Sequence, residues 1–265
     1  LAKVEGAHYE GPSEGKVVLI ADREGLFRVD TGLLERLNLI GDITIATLPD
    51  NYRVCKGARL ASMRIVPLYT KEAQILEAEE LMSKTRLMEL IPFKPLKAGI
   101  IITGSEIYNG RIQDGFESVV RGKLSSYPGE ITGVKICDDD IDMIIGAADE
   151  LLENGADLLI FAGGMSVDPD DLTPGAIGKL GAKIISYGLP AQPGNMTLIA
   201  YLSDIPIIGV PGAAISLPTT LFDVLLPRIY AGVKLSRAEL IRLGDGGLCQ
   251  MCTQCHYPNC TFGRF

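Results

Sequence analysis

The apolar positions follow two patterns that change near residue 95. From Lys16 to Pro67 they come in short runs, KVVLIAD, DITIATL and RIVPL, broken by Gly, Asp and Pro, with one helical spacing at Leu33, Leu34 and Leu37. This predicts a small β-rich domain. Lys71 to Leu90 lacks Gly and Pro and is rich in strong helix formers, so it predicts a connecting helix, with Pro92 and Pro95 marking a linker. Beyond it, apolar strands alternate with amphipathic helices: strands at Gly99–Ile102, Ile131–Ile136, Asp157–Phe161, Lys183–Ser186 and Pro206–Val210, and helices carrying Phe116, Val119, Val120 and Leu124, then Ile141, Ile144, Ile145, Ala148, Leu151 and Leu152. A third helix carries Leu217, Leu221, Val224 and Leu225, and Ser236 with Glu239 forms a capping box for a last one. The expected fold is α/β, a three-layer sandwich with a mostly parallel sheet, preceded by the small β-rich domain. The boundaries are 1–95, 96–243 and a Cys-rich tail, 244–265.

Composition narrows the function. With 47% hydrophobic residues the chain has ample core material, and 25 Lys+Arg against 33 Asp+Glu give a net charge of −8, the wrong sign for a protein that neutralises nucleic-acid phosphates. No apolar run approaches the ~20 residues of a membrane span; the longest candidate, Ile205–Ile215, is broken by Pro206, Gly209, Pro211 and Gly212. No signal segment is apparent, so the expected compartment is the cytoplasm. The chain opens with Leu rather than Met, and the expectation is a piece of a longer polypeptide. Six Cys are present, but four crowd into the last 17 residues, while Cys55 and Cys137 stand alone, which is no disulfide framework.

In a parallel sheet, ligands bind beyond the carboxyl ends of the strands. The residues at those ends are polar and glycine-rich: TGSEI (Thr103, Gly104, Ser105, Glu106, Ile107), the run Asp138, Asp139, Asp140, then GGMSVDPDDLTP from Gly163 to Pro174, and PGAAIS from Pro211 to Ser216. Glycines let backbone N–H groups approach an anion, and a following helix adds about 0.3–1 kcal/mol per charge, so phosphate is the expected guest. Neither GxxxxGK[ST] nor a GxGxxG after a strand is present, which excludes a standard P-loop enzyme. Asp138 and Asp171 are expected on neighbouring loops at the same edge, which suits Mg2+ held against a phosphate. A structural role competes for each residue. Asp138 can cap the helix starting near Asp140, Asp171 can cap or orient the turn before Thr173 and Pro174, and the hydroxyls of Thr103 and Ser166 can satisfy backbone groups. The only histidines, His8 and His256, are poorly placed for a Ser-His-Asp triad.

Together, TGSEI, the acids after the second strand, GGMSVDPDDLTP, QPGNM (Gln192–Met196) and VPGAAIS resemble the molybdopterin-binding domain shared by molybdopterin adenylyltransferases and MoeA-type molybdate insertases, over Lys97–Gly232. The resemblance implies molybdenum cofactor biosynthesis. The ligands would be molybdopterin with ATP, or adenylylated molybdopterin, in a protein that tends to form homo-oligomers. It also implies that Asp138 and Asp171 serve catalysis or Mg2+ binding. Thr103–Glu106, Gly163, Gly164, Ser166, Pro193, Gly194, Asn195, Pro211 and Gly212 would hold pterin phosphate and nucleotide.

Two positions depart from that pattern. Where relatives commonly read PGNP this chain reads Pro211, Gly212, Ala213, Ala214, and where insertases commonly read PGKP it reads Pro193, Gly194, Asn195, Met196. Loss of a charge-assisted hydrogen bond weakens binding by about 1.5–3 kcal/mol, so a non-catalytic pterin-binding or sensing module is an alternative. A second resemblance, to CinA-type domains that act on nucleotide-like pyrophosphates, rests on the TG start and the GG-to-DDLT stretch.

The tail reads CQMCTQCHYPNC. Cys249, Cys252, Cys255 and Cys260 are spaced to wrap a metal, as an iron–sulfur cluster or Zn2+; the spacing is one residue longer at its last step than the CxxCxxCxxxC of ferredoxins. The competing reading is a reduced, partnerless tail on a tether of Gly244, Gly246 and Gly247.

Overall fold

The computed structural model describes residues 3–165 and 171–263. The chain divides into two compact units, one ending at Phe93 and the other spanning Lys94–Gly263.

The first unit is β-rich. Strands β1 (Ala7–Ser13), β2 (Lys16–Ala21), β4 (Ile43–Thr47) and β6 (Arg59–Ile65) form an antiparallel sheet in the order β1-β2-β6-β4, and β3 (Gly25–Val29), β5 (Tyr52–Val54) and β7 (Met88–Ile91) form a second in the order β5-β3-β7. Leu19, Phe27, Leu37 and Leu60 centre its core, with Leu33 and Leu37 supplied by helix α1 (Thr31–Asn38), whose first turn is capped by Asp30. The long helix expected over residues 71–90 stops early. Helix α2 covers Glu72–Lys84, and Met88–Ile91 pairs with β3 instead, Met88 opposite Val29 and Ile91 opposite Leu26. Met88 and Leu90 are buried while Glu89 between them is exposed, so pairing and a period-two burial pattern override helix propensity there.

The second unit is the expected three-layer α/β sandwich. Its elements are β8 (Leu96–Thr103), α3 (Ser105–Tyr108), α4 (Phe116–Leu124), β9 (Gly129–Cys137), α5 (Ile141–Glu153), β10 (Leu158–Ala162), α6 (Thr173–Lys179), β11 (Lys183–Tyr187), β12 (Leu198–Leu202), β13 (Ile205–Val210), α7 (Ala213–Ser216), α8 (Leu221–Tyr230) and α9 (Arg237–Arg242). The sheet order is β11-β12-β13-β10-β8-β9; β9, β8, β10 and β13 are parallel, and β12 runs against both of its neighbours. Strand β12 escaped the sequence reading, although LIAYL, a two-residue Ser203-Asp204 turn and IPIIGV read as a hairpin, with Ser203 taking the left-handed conformation at φ 54°. The third helix begins at Leu221 rather than Leu217, because Thr220 caps it in a box with Asp223.

Alternation along the strands divides the core. Ile101, Leu159, Phe161 and Ile207 face α5 and α6, whose Ile144, Ala148, Leu151 and Ile177 complete that layer. Gly99 and Gly133 lie under Leu151: a Cβ at either would stand 3.0 or 2.7 Å from its side chain, so the leucine occupies the space two side chains would need. On the other face, Ile100, Ile102, Ile160, Ile208 and Val210 are buried, and α4 packs on β8. Helix α8, buried over nearly its whole length, is tied to α4 by the Lys123–Asp223 ion pair at 2.6 Å, and Tyr230 stacks on Tyr127, just past the end of α4.

Ile101 is fully buried whereas Ile184 on β11 is exposed. Ile101→Ala is expected to cost about 2–5 kcal/mol in urea unfolding, and Ile184→Ala about 0.5 kcal/mol or less.

Candidate functional site at the carboxyl rim of the sheet

Parallel register sets the ends of four strands level: Thr103 opposite Cys137, Ile102 opposite Ala162, and Ala162 opposite Val210. The loops that follow therefore share one rim. A fifth segment, residues 188–197, reaches the same rim from the other direction, because it enters the amino end of the antiparallel β12, where Leu198 stands opposite Gly209.

The best-defined constellation lies beyond β8 and β9. The Ser105 hydroxyl donates to Asp138 Oδ1 at 2.5 Å and lies 3.0 Å from Asp139 Oδ2, and the Ser105 backbone N–H donates to Asp139 Oδ2 at 2.8 Å. The Asp139 N–H donates to Asp138 Oδ1 at 2.9 Å. These two donors, the Ser105 hydroxyl first, hold the Asp138 carboxyl below the usual aspartate range. Asp138 Oδ2 carries no hydrogen bond among the described residues. Asp138 is not a helix cap: Asp140 caps α5 by accepting from the Met143 N–H at 2.8 Å. Asp139 is the residue the sequence reading passed over; its signal was its place inside an acidic run at a strand end. Gly104 N–H is taken by Cys137 O, so the amides at the start of the TGSEI loop bind protein rather than lying open to an anion. Glu106 is exposed at the same loop.

Thr103 lies beneath the rim. It is 2% exposed, and its hydroxyl is 2.8 Å from that of Thr173, the first residue of α6. Gly163 and Gly164 pack directly on this pair at φ 90° and 55°; a Cβ would fall 2.2 Å from Thr103 O or 2.4 Å from Thr173 Oγ1. The double glycine thus lets one loop close over another. Leu172, not Thr173 or Asp171, takes the cap position of α6, with no side-chain cap bond. Asp171 sits where its charge helps raise the Tyr187 hydroxyl pKa, after the larger effect of burial. Tyr187 ends β11 and was not foreseen. Contrary to the expectation from the sequence, the loops carrying Asp138 and Asp171 are not neighbours: β8 lies between β9 and β10. Ser166 lies outside the described residues.

Pro193 O accepts from Leu221 N–H, and Gly194 is buried so close to the first turn of α8 that a Cβ would stand 3.0 Å from Leu221 N. Asn195 is exposed beside them. Pro211 is buried, while Gly212 is exposed with nothing within 4 Å of an added Cβ, leaving that loop open to a ligand.

Cys137 is buried, which pushes its thiol pKa up. Cys249, Cys252, Cys255 and Cys260 are free thiols, and among the described residues no three His, Cys, Asp or Glu side chains gather as ligands of a single metal ion. His8 bonds Asp22 in the first unit, far in sequence from any rim loop. No helix among the described residues is long and apolar enough to cross a membrane.

Residues 99–231, half of the chain and all of the rim-forming strands but the first three residues of β8, match the family described as "Probable molybdopterin binding domain". The chain belongs to this molybdopterin-binding domain family. It is 31% identical over 132 residues to the "Molybdopterin molybdenumtransferase" of Bacillus subtilis, covering 45% of this chain and 29% of the relative. To a "CinA-like protein" of Mycobacterium avium it is 32% identical over 77 residues, 29% of this chain and 18% of the relative. The chain thus spans less than a third of either relative. Among solved structures it is similar to the "tungsten cofactor synthesizing protein MoaB" of Pyrococcus furiosus, with 21% identity and a TM-score of 0.46 over 54% of this chain and 98% of that one.

The Asp138 constellation has a pH signature. Because its folded pKa is lowered, its stabilising contribution is present above the unfolded value of about 3.9 and is lost as pH falls through the folded value. Carboxyl NMR should place the Asp138 midpoint below that value, and Ser105→Ala should move it back up.

Proposed function

We propose that the α/β unit acts in molybdenum cofactor biosynthesis. In this reading it binds the phosphate end of molybdopterin, free or adenylylated, at the carboxyl rim, and supports Mg2+-dependent adenylyl transfer or molybdate insertion. The observation that carries this reading is the Asp138 carboxylate, kept ionised by Ser105 and Asp139 with one oxygen left unbonded among the described residues.

That side of the rim holds Asp138, Asp139, Asp140 and Glu106 and few open amides, so a phosphate arriving there meets like charge. A divalent cation between carboxylate and phosphate removes the conflict. The donor set fits Mg2+, a hard cation that commonly takes one or two carboxylates and completes its shell with phosphate oxygens and water. When bound, Mg2+ would neutralise phosphate charge and polarise the phosphorus centre.

The chain's own residues do the positioning. Ser105 orients the Asp138 carboxylate, Asp139 fixes Ser105, and the Thr103–Thr173 bond with Gly163 and Gly164 packed on it joins the loop after β10 to the end of β8. The exposed Gly212 loop leaves room for the nucleotide or pterin. In the forward direction the terminal phosphate of the pterin attacks ATP and pyrophosphate leaves; in the insertase direction the adenylyl group departs as molybdate enters. Asp171 supplies a second acid from the far side of β8.

A binding-only reading is favoured by one feature: Ala213 and the buried Ala214 offer no polar side chain in the 211–216 loop, and Met196 offers none in the 193–196 loop. A CinA-like reading, cleavage of a nucleotide pyrophosphate, draws on the shorter match.

The test is the full chain with molybdopterin, Mg2+ and ATP, following pyrophosphate. Release is expected, falling by about 10²-fold or more in Asp138→Asn and in Asp171→Ala with the fold intact. Tight pterin binding with neither pyrophosphate release nor molybdate-dependent release of AMP selects the binding module, and hydrolysis of a nucleotide pyrophosphate without pterin selects the CinA-like reading.

A further inference from the structure

The Cys-rich segment is built into the second unit. Gln192 N–H donates to Gly247 O at 2.7 Å, Cys249 N–H donates to Gln192 O at 2.8 Å, and Gly263 N–H donates to Gly246 O at 3.0 Å, closing residues 246–263 into a loop. The Tyr257 hydroxyl donates to Asp223 O at 3.2 Å, and Phe262 is buried edge-on to Tyr257. The segment is therefore fastened at both ends and in the middle.

Its own apolar packing does not account for that order. Between residues 248 and 263, Phe262 is the one buried residue, yet fixing each residue costs about 1–2 kcal/mol of backbone entropy. Segments with so little core are held by disulfides or metals. All four thiols are free, so the disulfide is not the fastener.

Beside the loop lies a cavity of about 280 Å3 lined by Cys249, Cys252, Cys255 and Cys260 together with Pro218 and Thr219. Two of the sulfurs already have neighbours able to hydrogen-bond them: the Met251 N–H points to Cys249 Sγ at 3.5 Å, and Thr219 Oγ1 lies 3.2 Å from Cys255 Sγ. Such bonds stabilise ligating thiolates and tune the centres they hold.

The spacing separates the metal chemistries. Zn2+ sites commonly set two Cys pairs well apart in sequence, whereas Cys249, Cys252, Cys255 and Cys260 follow one another at intervals of two, two and four residues, close to the CxxCxxCxxxC run of ferredoxins. All four line the same cavity. We propose that Cys249, Cys252, Cys255 and Cys260 bind an iron–sulfur cluster, their thiols losing protons to solvent as they ligate iron. Through Cys255 such a centre would adjoin Thr219, next to the cap of α8, while the loop's backbone grips Gln192, next to the Pro193–Asn195 segment. Two rim loops thereby depend on it for their order.

The full chain, reconstituted anaerobically with ferric and ferrous iron and sulfide and then desalted, is expected to retain equal iron and acid-labile sulfide, about two or four of each per chain, with broad visible absorption. The double variant Cys252→Ser/Cys255→Ser should lose both, while Cys55→Ser, in the other unit, should retain them. Loading should also slow proteolytic cleavage between residues 248 and 262. Zinc bound at one per chain to the exclusion of iron and sulfide, iron without sulfide, or no metal at all overturns the proposal. None of these measurements involves pterin, so they stand or fall apart from the rim chemistry.

Discussion

Parallel pairing of β8 with both β9 and β10, and of β10 with β13, is the constraint on which the rest of the second unit depends. It forces four chain exits onto one level, and the only way onward from a buried parallel strand is a turn at that level leading into a covering helix. Residues distant in sequence, such as Ser105 and Asp138, meet there because their strands end in register. The apolar alternation of Ile100 to Ile102 and of Leu158 to Phe161, which holds the two helical layers on, is also what keeps that register from slipping by one residue.

The rim is uneven in charge and in openness. On the β8–β9 side, backbone amides are consumed by Asp139 and Cys137, and carboxylates face outward; around Gly212 the chain is bare and neutral. In the proposed reading, this asymmetry matches a phosphate ester attached to a flat heterocycle, one end needing a cation and the other needing room.

The sheet and its helices were legible in the sequence because strand and helix periods alternate cleanly after residue 95. The misreadings came where tertiary pairing decides. Met88–Ile91 looks helical by composition but completes a sheet with β3, and LIAYL was hidden by its proximity to the proline-broken run that follows. The site was legible as a set of loops and less so as a set of roles. Asp138, Thr103 and the double glycine were all in view, but spacing alone does not say that Asp140 takes the cap, that the Thr103 hydroxyl is spent on Thr173, or that the glycines are needed for loop-on-loop contact. The QPGNM segment reaches the rim through the amino end of an antiparallel strand, a position that the rule about carboxyl ends does not anticipate.

Asp223 shows how much such a scaffold can concentrate in one residue. Its carboxylate both completes the first turn of α8 through the Thr220 N–H and neutralises the half-buried ammonium of Lys123 on α4, while its carbonyl receives the Tyr257 hydroxyl of the cysteine loop. A genetic selection would find such a position as unforgiving as a reactive one. Intolerance to replacement at Asp223 would therefore report on shared architecture, and ranking residues by tolerance alone would mistake a junction for a reagent.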